Sequence, residues 1–205
     1  MLNRLIPGFA ATLAVVVLAA FAFTRPDPLE IGAQAPMTDV EMQGVSGESY
    51  SLASVAGENG LLVIFTCNTC PWVKAWEDRY PQIAAQAEEQ GIGLIMPNPN
   101  EAYRDNGDSM ADMQARAEEM GYTFPYVLDE GSQLAEAFGA TRTPDVFLFN
   151  ADMELVYRGA IDDNARNADA VENRYLFDAM TALVSGNEIE PKVTKSIGCT
   201  IKWAD

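Results

Sequence analysis

The residue group best suited to do chemistry in this chain is Thr66-Cys67-Asn68-Thr69-Cys70-Pro71. It lies between an apolar run, Leu61 to Phe65, that reads as a buried strand, and a segment from Pro71 with helical periodicity. A helix N-terminus leaves backbone N–H groups unpaired and carries partial positive charge, which favours a thiolate at Cys67. The thiolate is the nucleophile of disulfide exchange. Cys70 falls one helical turn further along the same face, within reach of a mixed disulfide formed at Cys67. Pro71 suits the first helical turn, where its missing N–H would have no partner anyway. Two other uses of the pair compete with redox chemistry. A structural disulfide closing so short a loop would stabilise little. A closed zinc site needs four Cys or His ligands, and the chain has three Cys and no His. On a strand-to-helix turn in an α/β pattern, the pair reads as redox-active.

Other residues are candidates to assist. Thr141-Arg142-Thr143-Pro144 directly precedes the apolar run Val146 to Phe149. A cis Thr143–Pro144 bond would bend the chain sharply there and turn main-chain groups toward the cysteines; the alternative is an ordinary turn proline. Arg142 would lower the Cys67 pKa if its guanidinium faced the pair. Cys199 is the odd cysteine, and three roles stay open: resolving a disulfide with Cys67, linking two chains, or packing inertly in the tail. Trp72 could contribute to an apolar docking surface, whereas Trp76 belongs to the core. Asp162-Asp163-Asn164 lacks the alternating ligands and the glycine of a calcium loop and reads as a solvated turn. No metal and no cofactor is expected.

Composition narrows the classes. The 205 residues include 30 acidic and 13 basic side chains, a net charge of −17, which disfavours a nucleic-acid partner. The absence of His removes a Ser–His–Asp triad, a Cys–His dyad and any His-ligated metal site. Residues 5–23 carry no charge, follow Arg4 and contain the small-x-small triplet Ala20-Phe21-Ala22. Residues 1–23 therefore read as a secretory signal or a retained membrane tether, and the protein as exported, periplasmic or otherwise extracytoplasmic. Residues 24–36 read as a linker and 37–205 as one folded domain.

The elements that must position the cysteines follow from periodicity. A hairpin pairs residues 40–43 with 49–52, and the strand 61–65 leads into a helix over 71–90, kinked at Pro81. A strand at 92–96 precedes a helix over 110–120 that Gly121 ends, then a strand at 126–128 and a helix at 132–138. A second hairpin joins 146–149 to 155–158, and a helix over 171–184 is capped by Gly186. This order predicts an α/β domain with a mixed sheet and helices on both faces.

These features together resemble the thioredoxin-like superfamily, and within it the peroxiredoxin-like redoxin or AhpC/TSA group, in a subset with a C-x-x-C motif. The resemblance runs over most of residues 30–205. It rests on Cys67 to Arg79 (CNTCPWVKAWEDR), Phe124 to Glu130, Thr143-Pro144-Asp145, Val156 to Gly159, Asp162-Asp163-Asn164 and the tail Ser196 to Trp203. It implies a thioredoxin-like fold, Cys67 as attacking thiol, Cys70 as resolving thiol and Pro144 as a cis-proline. It also implies a protein disulfide or dithiol as substrate, and a thiol electron donor or acceptor. Peroxiredoxins place a Pro and a Thr where this chain has Gly60 and Ile64. Thioredoxins and the cytochrome-maturation reductases place proton-handling carboxylates where it has Leu61 and Val73. A thiol peroxidase and a copper(I)-handling or adaptor module with two thiolates are the alternative functions.

Overall fold

The computed structural model describes residues 27–204, so the signal or tether expected over 1–23 lies outside the described residues. No helix among the described residues is long and apolar enough to cross a membrane. The chain forms β1 (Met42–Gln43), β2 (Ser49–Tyr50), α1 (Leu52–Val55), β3 (Gly60–Phe65), α2 (Pro71–Trp76) and α3 (Tyr80–Glu89). It continues with β4 (Ile92–Asn98), α4 (Met110–Met120), β5 (Tyr126–Leu128), α5 (Gln133–Phe138) and β6 (Arg142–Thr143). The last elements are β7 (Asp145–Phe149), β8 (Leu155–Gly159), α6 (Tyr175–Ser185) and β9 (Cys199–Thr200).

Five strands make the central sheet in the order β5-β4-β3-β7-β8. The β3–β4 and β4–β5 pairs are parallel, whereas β3–β7 and β7–β8 are antiparallel. Every residue of β3 is buried, as its uninterrupted apolar sequence requires of a strand covered on both faces. Successive side chains point to opposite faces. Leu62 and Ile64 pack with Val73, Trp76, Tyr80, Ile83, Met113 and Met180 from α2, α3, α4 and α6. Leu61, Val63 and Phe65 pack with Leu52, Leu134 and Phe138 from α1 and α5. Met113 of α4 is thus a core residue, while Met110 and Met120 are half-buried, and Gly121 closes that helix at φ 64°, a left-handed conformation that glycine adopts without a Cβ clash.

Three expectations change. The helix expected over 71–90 divides into α2 and α3, joined by a 3-10 turn over Glu77–Arg79, with Pro81 in the first turn of α3. There its missing N–H breaks no helical bond, so the interruption falls before it. The final helix begins at Tyr175, since Ala168–Ala170 forms a separate 3-10 turn. The stretch expected as a linker is packed from Leu29 on: its N–H reaches Phe138 O at 3.0 Å, Gly32 N reaches Leu155 O at 2.8 Å and Ala35 N reaches Met153 O at 2.9 Å. This segment runs beside the start of β8 and uses backbone groups at the sheet edge. The short β6–β9 pair joins the Pro144 turn to the C-terminal tail.

Candidate active site

Cys67 and Cys70 stand where β3 gives way to α2, with Cys70 as the N-cap and Pro71 in the first turn. Opposite them, β6 turns into β7 through a cis Thr143–Pro144 bond. Thr143 is fully buried and meets both sulfurs. Its hydroxyl lies 3.2 Å from Cys67 Sγ, and its carbonyl accepts from Cys70 Sγ at 3.2 Å.

A residue that no sequence pattern singles out anchors the turn between the cysteines. Asp108, fully buried ahead of α4, accepts at Oδ1 from Asn68 N at 2.7 Å and from Asn98 Nδ2 at 3.0 Å. At Oδ2 it accepts from the Thr69 hydroxyl at 2.8 Å and from Asn100 Nδ2 at 3.0 Å. Four donors satisfy both oxygens, which is what makes a buried carboxylate tolerable. The Tyr126 hydroxyl donates to Asn68 Oδ1 at 2.9 Å and accepts from Asn98 Nδ2 at 3.1 Å. Both middle residues of the C-x-x-C are thereby fixed from outside the helix.

The two thiols titrate as a unit. Contact with Cys70, burial and the negative Asp108 push Cys67 far above an ordinary thiol, while the Thr143 hydroxyl pulls it down. Contact with Cys67 lowers Cys70, burial opposes this, and the Cys199 thiol and the N–H groups of Val73 and Cys199 assist, leaving it at about 5. The reduced pair therefore keeps one proton over the neutral range. Burial and Asp108 act against a charge on Cys67, whereas the N–H groups of Val73 and Cys199 favour one on Cys70. The bonds at Thr143 favour the other arrangement: its carbonyl can only accept, which requires the proton on Cys70, and its hydroxyl can donate to Cys67. One proton shift between adjacent sulfurs interconverts the two. Cys67 is also 2% exposed, not an open thiol, and Cys70 is 3% exposed. Cys199 is half-buried.

The remaining candidates divide. Cys199 pairs with Thr143 across β6–β9 and packs against the cluster that contains both other cysteines. Arg142 is exposed and reaches Gly198 O at 3.4 Å, so its guanidinium serves the tail rather than the thiols. Trp72 is half-buried, tilted against Trp76, with Arg166 over its ring at 5.1 Å. Trp76 is in the core and donates to Asp162 Oδ1 at 2.7 Å. Asp162 is buried rather than solvated and also pairs with Arg79 at 3.2 Å, so it ties α2 to the segment after β8. Glu77 accepts from Arg116 and from the Tyr122 hydroxyl beneath the helix break. No group of three or more Cys, Asp or Glu among the described residues is arranged to hold a metal ion.

Residues 31–158 match the AhpC/TSA family. The thiol-disulfide oxidoreductase ResA of Halalkalibacterium halodurans is 26% identical over 115 residues, which span 56% of this chain and 61% of that protein. The crystal structure of an uncharacterized conserved protein from Geobacillus kaustophilus is 34% identical, covers 89% of this chain and 94% of its own, and superposes with a TM-score of 0.79. Peroxidoxin BcpB from Mycobacterium tuberculosis, at 15% identity, shares the fold alone, with a TM-score of 0.56 over 77% of this chain and 97% of its own. With a mixed five-stranded sheet, a C-x-x-C at a strand-to-helix turn and a cis-proline facing it, the chain belongs to the AhpC/TSA family and has a thioredoxin-like fold.

Proposed function

We propose that this protein is an extracytoplasmic thiol–disulfide oxidoreductase that exchanges disulfides with protein thiols through Cys67 and Cys70. One observation carries the reading: both sulfurs converge on the backbone and side chain of Thr143, where one proton can pass between them. Shifting that proton to Cys70 leaves a Cys67 thiolate stabilised by the Thr143 hydroxyl. This thiolate attacks a substrate disulfide, expels one substrate thiolate and forms a mixed disulfide. Cys70, once deprotonated, attacks Cys67 Sγ and releases the second substrate thiolate. The reverse sequence oxidises a dithiol. The ResA relative supports this reaction class, and the uncharged segment at 5–23 supports export by a signal or a tether.

Peroxide reduction is less well served. Gly60 and Ile64 supply no hydroxyl, and Thr66 is committed to Tyr80 OH at 3.0 Å. A two-thiolate copper(I) module leaves the Thr143 and Asp108 contacts without a task. The test is reduction of insulin by the reduced protein with a thiol donor. Wild type should be active, Cys67→Ser inactive, and Cys70→Ser should accumulate mixed disulfides mapped to Cys67. Rapid hydrogen peroxide consumption without insulin reduction, or mixed disulfides on Cys70 in the Cys67→Ser protein with equal yield, would overturn the assignment.

A further inference from the structure

The structure places a third thiol beside the pair. Cys199 reaches the site because β9 pairs antiparallel with β6, in the register Thr143 to Cys199 and Arg142 to Thr200. Thr143 is the residue on which both other sulfurs converge, so this register sets Cys199 beside them. Cys70 interacts both with Cys67 and with Cys199.

The tail that carries Cys199 is built into the domain. Thr194 N reaches Arg158 O at 3.0 Å, Ile201 N reaches Thr141 O at 3.1 Å, and Ile201 is buried. Lys202 N donates to Asn100 Oδ1 at 3.0 Å, and the same Asn100 donates to Asp108, so the tail and the C-x-x-C turn share an anchor. Accessibility adds the functional point. Cys67 and Cys70 are almost fully covered, whereas Cys199 is half-buried.

We propose that Cys199 is a third redox thiol that exchanges with the Cys67–Cys70 disulfide and presents it to the outside. The Cys199 thiolate attacks Cys70 Sγ, a Cys70–Cys199 disulfide forms, and Cys67 leaves as a thiolate. One S–S bond breaks and one forms, so the step needs no oxidant or reductant beyond the substrate disulfide that first oxidised the pair. An external donor thiol then attacks the Cys199 sulfur, on the least covered of the three cysteines, and frees Cys70, and a second donor thiol releases the donor from Cys199. Burial, and then contact with Cys70, hold Cys199 at about 11 in the reduced protein. The contribution of the Cys70 charge vanishes once Cys70 is in a disulfide, so Cys199 ionises more readily in the state in which it attacks.

The inference rests on the redox reading of the pair, but its test is separable. The reduced full-length chain is oxidised with one equivalent of diamide, quenched with acid, alkylated with N-ethylmaleimide and mapped by mass spectrometry. Two singly oxidised forms are expected, one with Cys199 alkylated and one with Cys67 alkylated. Cys67→Ser should form an internal Cys70–Cys199 disulfide as a monomer, and Cys67→Ser with Cys199→Ser should lose it. Alkylation of wild type at Cys199 alone, with Cys67→Ser remaining reduced or forming only dimers, overturns the inference. If insulin reduction persists in that case, the oxidoreductase reading stands and only the role of Cys199 falls. If insulin is not reduced but both disulfides map, the reverse holds.

Discussion

The shared proton of the cysteine pair makes the pH dependence of its reduction potential a direct test of the site. The perturbation is pH itself, applied to the Cys199→Ser variant so that a single Cys67–Cys70 couple is read while a serine hydroxyl takes the place of the Cys199 thiol as a donor beside Cys70. With one ionisation at about 5 and the other far above the ordinary range, the dithiol binds one proton across neutral pH, and the disulfide binds none. A two-electron couple shifts by about 30 mV per tenfold change, so one bound proton gives a potential falling by about 30 mV per pH unit above pH ~5. Two ordinary thiols, each at 9.0, would bind two protons and give about 60 mV per unit up to pH ~9. At pH 7 the early ionisation stabilises the reduced form about a hundredfold, which makes the couple roughly 60 mV more oxidising than such a pair. The assay is equilibration in dithiothreitol or glutathione buffers from pH ~5.5 to ~8.5, with the reduced fraction read from alkylation. A slope near 60 mV per unit through that window would refute the shared-proton site and its one-proton chemistry.

Two further outcomes follow from the buried carboxylates. Asp108→Asn replaces one acceptor oxygen with an amide that faces existing donors, so it should destabilise the protein by about 2–4 kcal/mol, read as a lower urea midpoint. Removing its charge should also speed alkylation of Cys67 at fixed pH, because that charge helps to hold Cys67 protonated; unchanged alkylation and stability would contradict its role as anchor. Asp129 and Asp145, which burial raises from 3.8 to about 6, bind protons more tightly in the folded state than in the unfolded one. Stability of the oxidised protein should therefore fall as pH rises from about 4 to about 6, by up to about 3 kcal/mol per group, and Asp129→Asn should flatten this fall in urea titrations across that range.

Several parts of this architecture were legible in the chain because their causes are local. An unbroken apolar run marks β3 as a doubly covered strand, a proline after the second cysteine marks a helix start, and Gly121 and Gly186 mark helix ends. The order of strand and helix patterns was enough for a mixed sheet covered on both faces. Local pattern also misled where packing decided. The stretch before residue 37 has the composition of a linker but lies along β8 because edge backbone groups there needed partners. Asp162, polar and beside another Asp, reads as solvent-facing until Trp76 and Arg79 are placed against it.

What the sequence by itself determined is the reactive element: two cysteines on one turn between a buried strand and a helix, with a proline before another strand as their natural counterpart. Their surroundings were decided only by the tertiary structure. Asp108 meets Asn68 across 40 residues and Thr143 meets Cys67 across 76, separations over which periodicity carries no signal. The β6–β9 pairing that brings Cys199 to the site spans only two residues on each strand, too short to show as alternation. The physical reason is one of range: helix and strand patterns record burial within a few residues, while the charge on a sulfur depends on every donor and carboxylate that the completed fold carries to it.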